Sequence, residues 1–222
     1  MADGDAAGLE PRRAARRELS EALRSLLDVM ARAPAEVSEL RELAASVRGT
    51  AARWAALPEE RPRENEMLAG MSDFRERGPI VGQANPIAPP ARYWFDEAAG
   101  EARGEVCFGN AYEGGPGVVH GGFLSAVLDE VLGFTTIQSG KPGFTGELTV
   151  RYLGPTPIGR PLAIAARYEH SEGRRIYATG ELRDGDRVTC RAEGLFISID
   201  AERFAQMQRE REERGGGSGR TD

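Results

Sequence analysis

Apolar side chains recur at three- and four-residue spacing in the first quarter of the chain. In residues 11–33, Leu19, Leu23, Leu26, Leu27 and Met30 fall into this rhythm among Arg and Glu, the pattern of an amphipathic helix. Pro34 breaks the pattern and can stand as the first residue of a second helix, which carries Val37, Leu40, Leu43, Val47 and Trp54 on one stripe. Joined by a short turn, the two make a helical hairpin that ends near Leu57 and Pro58 and reads as a packing or oligomerisation accessory. Residues 59–90, rich in proline and mixed in charge, read as a linker that wraps rather than folds.

From residue 91 to 200 the pattern is that of one compact domain. Residues 92–96 and 105–108 suggest a strand pair, followed by a glycine-rich stretch over 109–122. Residues 123–137 are apolar on nearly every face, which predicts a buried helix. After it the period falls to two, through Leu148, Val150 and Tyr152, then Leu162, Ile164, Ala166 and Tyr168, then Ile176, Ala178 and Leu182, and last residues 188–199. Pro155 with Pro157, the segment 171–173, and the Asp184-Gly185 pair separate these strands, the last being a strong hairpin cue. The expected class is therefore α+β, an antiparallel sheet that buries one face against a long helix. Residues 201–214 read as a short exposed helix and 215–219 as a flexible glycine-rich tail. The expected organisation is 1–58 helical hairpin, 59–90 linker, 91–200 sheet-and-helix domain, and 201–222 helix and tail.

Composition narrows the chemistry. The 222 residues carry 29 Lys+Arg against 35 Asp+Glu, a net charge of −6, which argues against nucleic acid as a partner because phosphate binding needs a clustered positive field. Only two His and two Cys are present, and Cys107, Cys190, His120 and His170 lack ligand spacing, so neither a metal centre nor a cofactor is expected. Both cysteines fall in strand-like apolar patterns and read as reduced packing residues. The N-terminus lacks a basic segment followed by an apolar one, and no stretch approaches the roughly 18 apolar residues of a membrane span, so a cytoplasmic protein is expected.

Two polar features interrupt the apolar helix. His120-Gly121-Gly122 stands at its N-terminus, where the leading N–H groups are unpaired and glycine lets a ligand carbonyl approach them, an arrangement that can stabilise an oxyanion. The bland reading is a tight turn into a crowded core. Asp129 lies within the helix, on one narrow stripe with Ser125 and Gly133, and a partly desolvated carboxylate is what a general base or nucleophile looks like. Its neighbour Glu130 lies about a hundred degrees around the helix and reads as a rim charge. From Gly121 to Asp129 is eight residues, or about 12 Å along a helix. A base and an oxyanion donor must both lie within about 3 Å of the reacting atoms, so one protomer cannot supply both. Two antiparallel helices across a two-fold axis can, which predicts a dimer with two equivalent sites.

Here the pattern resembles a known family. A strand, then His120-Gly121-Gly122, then a buried helix with Asp129 nine residues after the histidine, then four antiparallel strands, is similar to the hotdog-fold acyl-CoA thioesterases, in particular the PaaI-like and THEM4-like group. The resemblance covers residues 91–200. It implies a hotdog fold with the N-terminal hairpin outside it, and hydrolysis of a thioester to a free acid and CoA by a homodimer or dimer of dimers. It also implies that the Gly121 N–H polarises the thioester carbonyl and that Asp129 of the opposite protomer activates water or attacks. Thr145, sixteen residues beyond Asp129, occupies the place of a threonine that some members use. Asn110 stands for an asparagine that orients the site, and His120 and Gly122 belong to the same substrate-binding loop, His120 as a cap in preference to a general base. The substrate would be an acyl-CoA or an acyl carrier protein thioester, with Arg151, Arg160, Arg174 and Arg175 either meeting phosphates or lying solvated on strands. An α/β-hydrolase would need a nucleophile elbow that the sequence lacks, and a hotdog hydratase would need an Asp and His pairing that is not found. A non-catalytic acyl-CoA-binding or regulatory hotdog module is the alternative of a different class.

Overall fold

The computed structural model describes residues 3–58 and 76–198. The expected short helix and tail beyond residue 200, and residues 59–75 of the expected linker, lie outside the described residues. The chain divides into two compact units, one with the N-terminal helices and residues 109–111, the other with the strands and the central helix.

In the first unit, α1 (Asp3–Met30) starts well before the expected residue 11 and runs through Pro11. The apolar rhythm that marks it begins only near Leu19, so the polar first turns carry no periodic signal, and the proline removes one helix hydrogen bond without ending the helix. The second helix, α2 (Val37–Ala55), starts three residues after the expected Pro34, where the Glu36 N–H donates to the Glu39 carboxylate at 2.8 Å. The apolar stripe of neither helix is buried: Leu19, Leu23 and Leu27 are each nearly two fifths exposed, and α2 buries no residue. The polar face of α1 does the holding. Arg17 pairs with Glu76 at 2.6 Å, and Arg24 donates to the carbonyls of Ala88 and Asn85 at 3.0 and 3.1 Å, so the segment 76–88 lies along α1 through charge-assisted bonds.

The second unit follows the expected pattern with added detail. A hairpin of β1 (Ala91–Asp96) and β2 (Glu101–Val106) comes first, then a minor ribbon of β3 (Glu113–Gly115) and β4 (Val118–Val119) inside the glycine-rich stretch, which carried no strand signal. The long helix α3 (Gly121–Gln138) precedes β5 (Gly143–Tyr152), β6 (Leu162–Glu172), β7 (Arg175–Asp184) and β8 (Arg187–Ser198). The main sheet is antiparallel in the order β1-β2-β6-β7-β8-β5, so β5 crosses over to pair with β8 rather than with its sequence neighbour, and it forms an edge. Positive φ at Gly173 and Gly185 makes the β6–β7 and β7–β8 turns, as the Asp184-Gly185 cue required.

The sheet wraps α3 on one side. Leu124, Val127, Leu128, Val131, Leu132, Thr135 and Thr136, at helical spacing, are buried against Ile164, Ile176, Leu182, Phe196 and their neighbours. Each of the larger aliphatic side chains contributes roughly 1.5–3 kcal/mol by leaving water. The expectation of a helix buried all round is corrected here. Ser125, Ala126, Asp129, Glu130 and Gly133 are only half-buried and Ile137 is 48% exposed, because one sheet can cover only one face of a helix. The reading of Cys107 as a packing residue is corrected too: it lies just past β2 and is exposed, whereas Cys190 is fully buried, and burial pushes its thiol up to about 11.

Candidate active site

The entrance to α3 is held from three directions. The His120 N–H donates to the Tyr112 carbonyl at 2.9 Å, and the Val119 N–H to the Thr156 carbonyl at 2.8 Å, which fixes the turn against both its upstream loop and the β5–β6 connection. Edge-on ring contacts run from Phe108 to Tyr112 and from Tyr112 to Phe123. A Cβ at Gly114 would lie 2.6 Å from the His120 Cα, so only glycine lets the minor ribbon fold back this closely.

His120 is the N-cap of α3, and its Nδ1 accepts the Gly122 N–H at 3.0 Å. This is the capping role, and it requires Nδ1 to be unprotonated. The neighbouring Gly121 N–H has no hydrogen-bond partner among the described residues and remains available to a ligand. Gly121 is also crowded: a Cβ there would stand 3.1 Å from the Tyr152 ring and hydroxyl. An open cavity of about 450 Å³ borders this turn, lined by Val118, Gly121, Leu124, Tyr152, Pro155 and Thr156 among others. On its wall the Thr156 hydroxyl is buried and makes no hydrogen bond among the described residues.

One turn apart on α3, the small-or-polar stripe faces β5 and β8. Ser125 Oγ lies 2.7 Å from the Tyr152 hydroxyl, Asp129 Oδ1 accepts the Thr145 hydroxyl at 2.9 Å, and Gly133 lies against the Phe196 ring. The β5–β8 ladder shifts register between Thr145 and Glu147, a bulge of the kind that re-aims a side chain beside a functional group. Asp129 and Thr145 are thus brought together. Gly121 and Asp129 are not: they sit eight residues apart on one unbroken helix, about 12 Å.

Asn110 lies in a short 3-10 turn (Asn110–Tyr112), where Asp28 of α1 accepts its backbone N–H, its Nδ2 at 3.0 Å and the Ala111 N–H at 3.4 Å. Asp28 was not legible in the sequence, since nothing distinguishes it from the other acids of α1. Tyr152 was missed for another reason: it alternates in phase with Leu148 and Val150 and so reads as a core position, yet it is 55% exposed. Of the arginines considered for phosphates, Arg151 pairs with Glu193 and Arg160 with Asp184, and Arg174 donates to the Ser198 carbonyl. His170 stacks on Tyr177 with ring centroids 4.5 Å apart.

Among the described residues, no helix is long and apolar enough to cross a membrane. The family model of the thioesterase superfamily matches residues 116–191. The acyl-coenzyme A thioesterase THEM5 of Mus musculus is 30% identical over 98 residues, 43% of this chain and 40% of that protein. The acyl-coenzyme A thioesterase THEM4 of Xenopus laevis is 32% identical over 89 residues, 39% of this chain and 40% of that protein. The chain thus spans about two fifths of the length of these curated relatives. A crystal structure of a thioesterase superfamily protein superposes with a TM-score of 0.72 at 30% identity, covering 82% of this chain and 94% of that one. With that coverage, and with an antiparallel sheet wrapped around a helix that begins at His120-Gly121-Gly122, the chain belongs to the thioesterase superfamily and has the hotdog fold.

Proposed function

We propose that this protein is an acyl-CoA thioesterase whose active site joins the Gly121 N–H of one protomer to Asp129 of another. The observation that carries the reading is the pair of unspent groups on α3. One is an N-terminal N–H without a partner among the described residues, and the other is a half-buried carboxylate held at 2.9 Å by Thr145. In this reading the thioester carbonyl accepts the Gly121 N–H, supported by the positive end of the helix dipole. Asp129 takes a proton from water as its oxygen bonds to the carbonyl carbon, and Thr145 keeps the carboxylate aimed. The tetrahedral oxyanion then collapses, the C–S bond breaks, and the carboxylic acid returns the proton to the departing CoA thiolate. Direct attack by Asp129, through a mixed anhydride that water then opens, uses the same two groups. Asn110 has one amide hydrogen engaged by Asp28 and belongs with it to the N-terminal unit.

The dimer follows from distance, and two features support it. The face of α3 left half-covered by the sheet bears Ser125, Asp129, Gly133 and the exposed Ile137. Beside it β5 offers a ten-residue free edge with Phe144 and Tyr152 exposed, a surface suited to pairing with a second copy. The catalytic unit is residues 91–200, with the helices of 1–58 as an accessory.

The test is thiol release from a panel of acyl-CoA and acyl carrier protein thioesters, with Asp129→Asn beside the wild type. Turnover should fall by at least about a hundredfold in the variant, the low end for loss of a general base. Acyl-CoA binding without turnover by the wild type would instead mark a non-catalytic binding module.

A further inference from the structure

Two hydroxyls converge on the carbonyl of Gly121, and no step of the proposed reaction uses them. Ser125 Oγ and Tyr152 Oη each lie 3.1 Å from the Gly121 carbonyl oxygen and 2.7 Å from each other. Each hydroxyl has one hydrogen, so the three contacts are served by two protons. Either both donate to the carbonyl, or one donates to it while the other donates to its partner. The chain of bonds ends on a backbone carbonyl that has no proton to pass on, so it can hold a geometry but cannot relay a proton.

The geometry it holds is that of the peptide between Gly121 and Gly122. The carbonyl end of that peptide takes the two hydroxyls, and its N–H end donates to His120 Nδ1 at 3.0 Å. The unit is clamped at both ends by side chains. A glycine pair at a helix start would otherwise have the widest backbone freedom of any residues, and an oxyanion donor helps only if its direction is fixed before the charge develops. The Tyr152 side chain also packs closely on Gly121: a Cβ there would come within 3.2 Å of three of its ring and hydroxyl atoms.

We infer that Ser125 and Tyr152 are positioning residues for the Gly121 N–H: they brace the adjacent peptide so that this donor points steadily at the thioester oxygen. The inference rests on the thioesterase reading for its kinetic consequence but not for the brace itself. Tyr152 is more than half exposed and Ser125 half-buried, so neither hydroxyl is needed to hold the core together.

The experiment uses Tyr152→Phe, Ser125→Ala, their double variant and Ser125→Thr, with two readouts. The first is kinetic. The double variant should lose about tenfold in kcat, less than the hundredfold or more of deleting an oxyanion donor outright. KM should change less than about twofold and the melting temperature should stay that of the wild type, with Ser125→Thr retaining wild-type kcat. The second readout needs no turnover: backbone amide relaxation and hydrogen exchange of Gly121 in isotope-labelled protein. The Gly121 amide should be rigid in the wild type and broadened or faster-exchanging in the double variant. An unchanged Gly121 amide overturns the brace whatever the kinetics. A loosened amide with kcat within twofold of wild type overturns its role in the reaction. A wild type that hydrolyses no thioester ends the kinetic role together with the thioesterase reading, while the amide readout still decides the brace.

Discussion

Complementation between two inactive variants tests the arrangement of the site most directly. Asp129→Asn removes the proposed base while its amide oxygen can still accept the Thr145 hydroxyl, so the fold should be intact and turnover should fall by about 10²–10⁴. Gly121→Val puts a side chain where a Cβ already meets the Tyr152 ring at 3.1 Å, and it obstructs the approach to the N–H, for a loss of about 10²–10³. Because the two groups are about 12 Å apart on one helix, the proposed site draws them from different chains. Co-expression with two affinity tags and sequential purification isolates the heterodimer. One of its sites then combines both altered groups and the other combines both intact ones, so it should show about half the wild-type activity per dimer. The recovery over either parent is at least about fiftyfold. If each site were built within one chain, every site in the heterodimer would carry one defect and activity would stay at the parental level. That outcome, or full activity from a monomer, would refute the reasoning.

Three further outcomes are expected. Thr156→Val removes a buried hydroxyl that makes no hydrogen bond and should raise stability by about 1 kcal/mol, read as a higher urea midpoint at unchanged slope; a lower midpoint would mean the hydroxyl has a partner in solution. His120→Ala should cost about 1 kcal/mol through loss of the N-cap, and His120→Asn should recover most of it, as seen by thermal melting; equal losses in the two would show that the cap is not what His120 supplies. A thiol reagent at neutral pH should modify Cys107 in the native protein and reach Cys190 only in denaturant, because Cys190 is fully buried with its thiol pushed up to about 11; mass spectrometry of the labelled peptides reports it.

Much of the domain was set locally. The period-two runs and the Asp184-Gly185 pair located the last four strands, because that alternation follows from backbone geometry alone, and a run apolar on nearly every face located α3. Spacing in sequence also held the site. Sixteen residues separate Asp129 from Thr145, and that interval lets about two and a half turns of helix, a connection and a bulged strand bring the hydroxyl to the carboxylate. Spacing likewise showed that Gly121 and Asp129 could not meet on one chain. What periodicity cannot say is which surface covers an apolar face. It placed leucines on a stripe of α1, but the stripe is exposed, and Arg17, Arg24 and Asp28 on the polar side make the holding contacts. Nor could it say that β5 pairs with β8 and becomes an edge, since pairing partners are chosen by contacts remote in sequence. Tyr152 shows the consequence: its alternation marks a core position, and only the crossover of β5 to the sheet edge brings its hydroxyl beside Ser125 and the carbonyl of Gly121. The sequence by itself determined the main helices and strands and singled out the candidate groups; the tertiary structure decided their neighbours, because a local pattern specifies a face and only long-range packing specifies what lies against it.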